Sequence, residues 1–180
     1  RPPFLASLDD GVYDTVLRWA GTKPPGSRVI IVDVDERSLS TIGQWPWRRD
    51  LIARLVAGVR DRGASAVALD IIFAEVDRYS EKGTHEGPDA VLADTLRDGR
   101  VVLGYALTFN ALPRAPTSCE LQPLNLAVLR GKAEEEEDAG DAPFFRATGA
   151  ICSLPMLARA AGAAGFLNAA PDADGILRRV

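Results

Sequence analysis

The chain has 180 residues, of which 47% are hydrophobic and 26% charged, and its net charge is −4. That length suits one domain with a sizeable core, burying about 70% of its extended surface, and the composition is that of a folded globular domain. The acidic balance argues against nucleic acid or an anionic membrane surface as a partner. No window of the sequence reaches the apolar length of a membrane-spanning helix.

The first 27 residues read as a lead-in. Phe4, Leu5, Leu8, Val12, Val16 and Leu17 recur at helical spacing, which predicts a helix from Leu5 to Trp19. Pro2 and Pro3 precede it; Gly21, Pro24 and Pro25 end it. Its apolar face needs a cover, either the domain itself or an upstream rod. The chain begins at Arg1 without a methionine and no signal peptide is visible, so it reads as an excised piece.

Arg28 to Val34 is apolar on both faces, which predicts a strand buried inside a parallel sheet. Asp35 stands where a helix cap belongs, and Gly43 stops the short turn that follows. After Trp45-Pro46-Trp47, the stripe Leu51, Ile52, Leu55, Val56 and Val59 predicts a crossover helix from Trp47 to Arg62, terminated by Gly63. Ala64 to Ile72 is the second predicted strand, and the polar run from Glu75 to Pro88 a loop. Asp89 caps a third helix, Ala90 to Arg97, and Arg100 to Thr108 is a third strand. Strand and helix alternate, which predicts an α/β fold with a mainly parallel sheet flanked by helices.

Asn110 to Pro123 is turn-rich, and the acidic run Glu134 to Asp138 reads as a solvated loop rather than a cation site. Ala150 to Cys152 suggests a short strand and Leu154 to Ala161 a short helix. Near the end, Gly165 to Asn168 and Ile176 to Val180 flank an Asp174-Gly175 turn, which predicts a C-terminal β-hairpin. The last strand looks only begun, so the domain reads as truncated.

Three features bear on chemistry. In open α/β sheets ligands bind outside the carboxyl ends of the strands, and Asp33, Asp35 and Asp70 are expected there, with Glu75 and Asp77 just beyond. Close carboxylates need a counter-charge, and Arg48 and Arg49 are at hand. The alternative is structural: Asp35 caps a helix, Asp33 pairs with Arg48, and Asp70 holds the loop behind its strand. Trp45 and Trp47 either floor a ligand pocket at that edge, form a partner surface, or plug the turn. The two cysteines, Cys119 and Cys152, read as one disulfide or as two unrelated buried thiols. With His85 as the sole histidine they make no zinc site.

Asp33-x-Asp35 after an apolar run also resembles the opening of a haloacid-dehalogenase-like phosphohydrolase, where the first aspartate attacks phosphorus and the second serves as acid and base beside magnesium. The chain departs from that pattern. Arg37 stands where Thr or Val is usual, Lys132 lies in the acidic loop, and no downstream acidic pair ends an apolar strand.

The order Ile30 to Leu39, Gly43-Gln44-Trp45-Pro46-Trp47-Arg48-Arg49, Ala64-x-Ala66-Val67-Ala68-Leu69-Asp70-Ile71-Ile72-Phe73, Asp89-x-x-Leu92-Ala93, Gly165-Phe166-Leu167-Asn168 and Asp172-x-Asp174-Gly175 resembles a wider pattern. It is similar to the second type of CHASE domain, a cyclase/histidine-kinase-associated extracellular sensing family, over Arg28 to Val180. Asn110 to Ala147 carries no family signature. The resemblance implies a non-catalytic, extracytoplasmic input domain of a bacterial receptor, residues 28–180, behind a lead-in helix. It implies membrane anchoring in the full-length protein, a homodimer formed through the receptor, and a cyclase, histidine kinase or serine/threonine kinase output. It implies no cofactor and no nucleic acid. An oxidising compartment favours the Cys119–Cys152 disulfide. The ligand, a small molecule or peptide, is then expected at Asp33, Asp35, Trp45, Trp47, Arg48, Asp70 and Asp77. The remaining alternative is a module that only binds protein, through exposed Trp45 or Trp47.

Overall fold

The computed structural model describes residues 3–21, 24, 26–79, 87–109, 119–120, 147–169, 172 and 174–177. The chain divides into two compact units, Arg1–Gln44 and Trp45–Val180.

The first unit holds α1 (Pro3–Ala20) and α2 (Glu36–Ile42). In α1, Leu5, Leu8, Val12, Val16 and Trp19 lie along one stripe at 3-4-4-3 spacing, and all are more than half exposed. Asp35 caps α2 as its sequence position suggests. Its carboxylate accepts from Ser38 N at 2.8 Å and Ser38 Oγ at 2.7 Å.

The strand expected over Arg28 to Val34 is not formed. Those residues carry no ladder pairing among the described residues, and Ile31 is 87% exposed. Apolar, β-branched composition favours a pleated, half-buried surface but does not create the neighbouring strand that makes one.

The second unit is an α/β sandwich. Its elements are α3 (Arg49–Asp61), β1 (Val67–Leu69), α4 (Pro88–Arg97), β2 (Val101–Thr108), β3 (Gly149–Ile151), α5 (Pro155–Ala161) and β4 (Gly162–Phe166). β2 is the centre of the sheet. It pairs parallel with β1, Val67 opposite Val101, and parallel with β4, Val101 opposite Gly162. Its C-terminal end pairs antiparallel with β3, Ala106 opposite Ile151. The expected mainly parallel sheet is therefore present, with a shorter second strand than the run Ala64 to Ile72 suggested.

The helices form a layer over this sheet, with α4 packed between α3 and α5, α3 against β1, and α5 against β2 and β4. The core lies in that seam. Ile52 and Val56 enter it from α3, Leu92 and Leu96 from α4, Leu157 from α5, and Val101 and Leu103 from β2, all essentially fully buried. Each such side chain contributes roughly 1.5–3 kcal/mol. Arg60, in the last turn of α3, reaches across to the end of α4 and donates to Thr95 O at 3.1 Å and to Asp98 O. That answers carbonyls a helix end leaves open.

Two glycines make tight exits. Gly63 (φ +94°) turns the chain out of α3 and Gly162 (φ +69°) turns it from α5 straight into β4. Beyond β4, Asn168 imitates one more strand residue. Its side-chain amide accepts from Leu107 N at 2.6 Å and donates to Leu107 O at 2.9 Å. The expected Asp-Gly turn is formed, with Gly175 N bonded to Asp172 O at 2.8 Å and Asp172 N to Ile176 O at 2.9 Å. The strand expected through Val180 falls partly outside the described residues. Cys119 and Cys152 are joined as a disulfide, with Cα atoms 5.5 Å apart.

Candidate functional site

The second unit begins at an aromatic corner. Trp45 and Pro46 are joined by a cis peptide bond. The Trp45 and Trp47 rings lie 5.8 Å apart at 57°. Trp47 is buried and Trp45 is 38% exposed, so the pair divides its labour. Trp47 fixes the turn into α3, while Trp45 shows indole to solvent.

Arg48 follows, one residue before α3. Its guanidinium takes a two-pronged bond to Asp50, Nε to Oδ1 at 2.9 Å and Nη2 to Oδ2 at 3.4 Å. The hydrogen bond that Arg48 donates to Asp50, then the Asp50 charge, holds Arg48 above the usual arginine value. The reciprocal bond from Arg48 holds the Asp50 carboxyl below its own. Arg48 is thus paired with Asp50, its neighbour two residues on. Asp33 is exposed in the first unit.

Behind the corner lies a buried polar knot that ties three segments together. Asp77, 5% exposed, accepts from Arg49 N at 2.7 Å and from Tyr79 N at 2.8 Å. It therefore caps α3 from 28 residues away, where Arg48 provides no side-chain cap. Asp77 N in turn donates to Asp89 Oδ2 at 2.9 Å. Asp89 is in the first turn of α4, whose N-cap is Gly87 and not Asp89 as expected. Pro88 occupies the first helical position, so the cap falls one residue earlier. The Arg49 guanidinium lies 3.5 Å from Asp89 Oδ1 at Nε, reaches Glu75 O at 3.3 Å, and sits 4.5 Å above the Phe73 ring.

This knot makes Asp77 a structural carboxylate. Replacing Asp77 with Asn turns one acceptor oxygen into a donor facing an N–H and removes the charge. We expect a loss of about 2 kcal/mol in urea unfolding. Amide exchange should accelerate at Arg49 and Tyr79 while the centre of β2 stays protected. Unchanged exchange at both amides would remove the capping role.

The outer layer of the corner was not legible in the sequence. Arg78 donates from Nη2 to Pro46 O at 2.8 Å. Its guanidinium carbon lies 5.6 Å from the Tyr79 ring centroid, and that of Arg48 lies 5.2 Å from the same centroid. Both Arg78 and Tyr79 are exposed. The only signal for them was a charged and an aromatic residue directly after Asp77.

Asp70 follows β1 directly, at the carboxyl end of a parallel strand as predicted, and is exposed, while Asp77 is buried. Asp33 and Asp35 belong to the first unit, and the Asp35 carboxylate is occupied with Ser38, which lowers its pKa. Among the described residues no group of three or more His, Cys, Asp or Glu side chains is placed to hold a metal ion.

A CHASE2 domain family model matches residues 1–180. Neither a curated protein nor a solved structure matches the chain.

Proposed function

The chain belongs to the CHASE2 domain family, whose members are extracellular sensory domains of receptors, and from that premise we propose that it is the extracytoplasmic, ligand-sensing input domain of a bacterial membrane receptor with a nucleotide cyclase, histidine kinase or serine/threonine kinase output. The family match along the whole chain carries this reading. The disulfide supports it, because such bonds persist in oxidising compartments outside the cytoplasm. Among the described residues no helix is long and apolar enough to cross a membrane, so the proposed anchors are apolar segments of about twenty residues elsewhere in the receptor. The receptor is proposed to work as a homodimer.

Within the domain, the proposed ligand edge is the corner of Trp45, Trp47 and Arg48. Asp77 holds that corner from behind, and Asp70, directly after β1, completes the proposed set. A ligand there shifts signalling only by binding two arrangements of the domain unequally.

Topology tests the reading. A cysteine introduced at the exposed Asp61 of the full-length receptor should react with a membrane-impermeant maleimide in intact cells. Labelling only after lysis would place the domain in the cytoplasm and overturn the proposal.

A further inference from the structure

We propose that the exposed corner formed by Arg78, Tyr79 and Arg48 beside Trp45 is a carboxylate-binding subsite that takes a small aromatic acid, with Arg78 as the residue that receives the carboxylate. This deepens the ligand edge proposed above and rests on that reading for its signalling role.

The two arginines of the corner differ. The Arg48 charge is answered by the two-pronged bond to Asp50. Arg78 has no carboxylate partner among the described residues; its polar bond goes to the carbonyl of Pro46. A guanidinium carries five N–H donors in a planar fork, so one bond to a carbonyl leaves donors open to solvent. That fork matches a carboxylate in a way an ammonium does not.

The support beneath Arg78 is rigid. Its neighbour Asp77 is buried and bonded to the first amide of α3, to Tyr79 N and, through its own N–H, to Asp89. The carbonyl that Arg78 grips belongs to the Trp45–Pro46–Trp47 corner, whose second tryptophan is buried. The guanidinium is therefore held from both ends before any ligand arrives, which lowers the ordering cost of binding.

Flat apolar surface adjoins it. Tyr79 is 54% exposed and Trp45 38% exposed. Tyr79 already serves both guanidiniums as a π platform. With Tyr79 engaged by the guanidiniums, the exposed Trp45 indole is the face against which a ligand ring gains area while its carboxylate meets the fork. A ring without charge, or a charge without a ring, meets half of the site.

The test uses the whole 180-residue chain and benzoate as probe, with the indole N–H resonance of Trp45 as readout. Benzoate should shift that resonance saturably. Acetate should bind more weakly and benzyl alcohol weaker still. Arg78→Gln should weaken benzoate binding by about tenfold or more, the loss expected for a charge-assisted pair. Arg78→Lys keeps the charge without the fork and should also weaken it, which covers the case in which Arg78→Gln fails to fold. Arg97→Gln, at an exposed arginine of α4 paired with Asp94, should leave it unchanged. No saturable shift, or equal affinity in a folded Arg78 variant, would overturn the subsite. Inorganic phosphate binding as tightly as benzoate would overturn the aromatic-acid assignment. None of these outcomes touches the labelling experiment, which tests the sensor reading by itself.

Discussion

Phe73→Ala is expected to cost about 3–5 kcal/mol, the range for emptying the site of a fully buried aromatic ring. Phe73 is 0% exposed and carries the Arg49 guanidinium on its face at 4.5 Å. Its backbone is also engaged on both sides. Phe73 N donates to Ser153 Oγ at 3.0 Å, and Phe73 O accepts from Leu154 N at 2.8 Å. The residue thus joins the exit of β1 to the start of α5, while its ring supports the half-buried Arg49 at the head of α3. Removing the ring leaves a cavity and strips the half-buried Arg49 guanidinium of its platform. The urea midpoint should fall by about 1–2 M. Phe73→Leu, which restores most of the volume but no π face, should recover more than half of the loss. A midpoint within about 0.3 M of the parent would show that the ring is not the keystone of this seam.

Loss of the Cys119–Cys152 bond is the second large effect. The bond closes a loop of 33 residues, for which the chain-entropy relation gives about 3–4 kcal/mol. In a chain of this size that corresponds to a fall in Tm of about 10 °C. The site of attachment matters. Cys152 directly precedes the buried Ser153 that holds Phe73, and Glu120, next to Cys119, pairs with Arg159 of α5 at 2.5 Å. That exposed ion pair contributes under about 1 kcal/mol, so it does not replace the covalent link. Unfolding followed with and without reductant, and in Cys119→Ser, measures the effect. A Tm that ignores reductant would mean that the bond constrains little of the unfolded chain.

How much of this was legible in the sequence depended on whether a feature is local. The helices α1, α3, α4 and α5 were readable because an apolar stripe every three to four residues needs no distant partner to be recognised. So were the Asp35 cap and the turn at Gly175, which are built within four or five residues. The family resemblance rested on residues whose reasons are now visible. Phe73 joins β1 to α5, Asn168 completes the pairing of β2, and the Trp-Pro-Trp turn sets the start of α3.

The strand expected at Arg28 to Val34 shows the limit of that kind of reading. Its composition is that of a buried strand, yet pairing is a property of two segments, and no second segment pairs with it among the described residues. The candidate site divides along the same line. The sequence by itself determined the α/β class, the helix faces, the aromatic corner and the family. Only the tertiary structure decided that Asp77 turns inward to cap a helix 28 residues away, that Asp50 takes Arg48, and that Arg78 reaches the Pro46 carbonyl of the corner. Periodicity reports which face of an element is apolar. Which charge meets which depends on contacts between residues far apart in the chain, and these exist only once the core has closed.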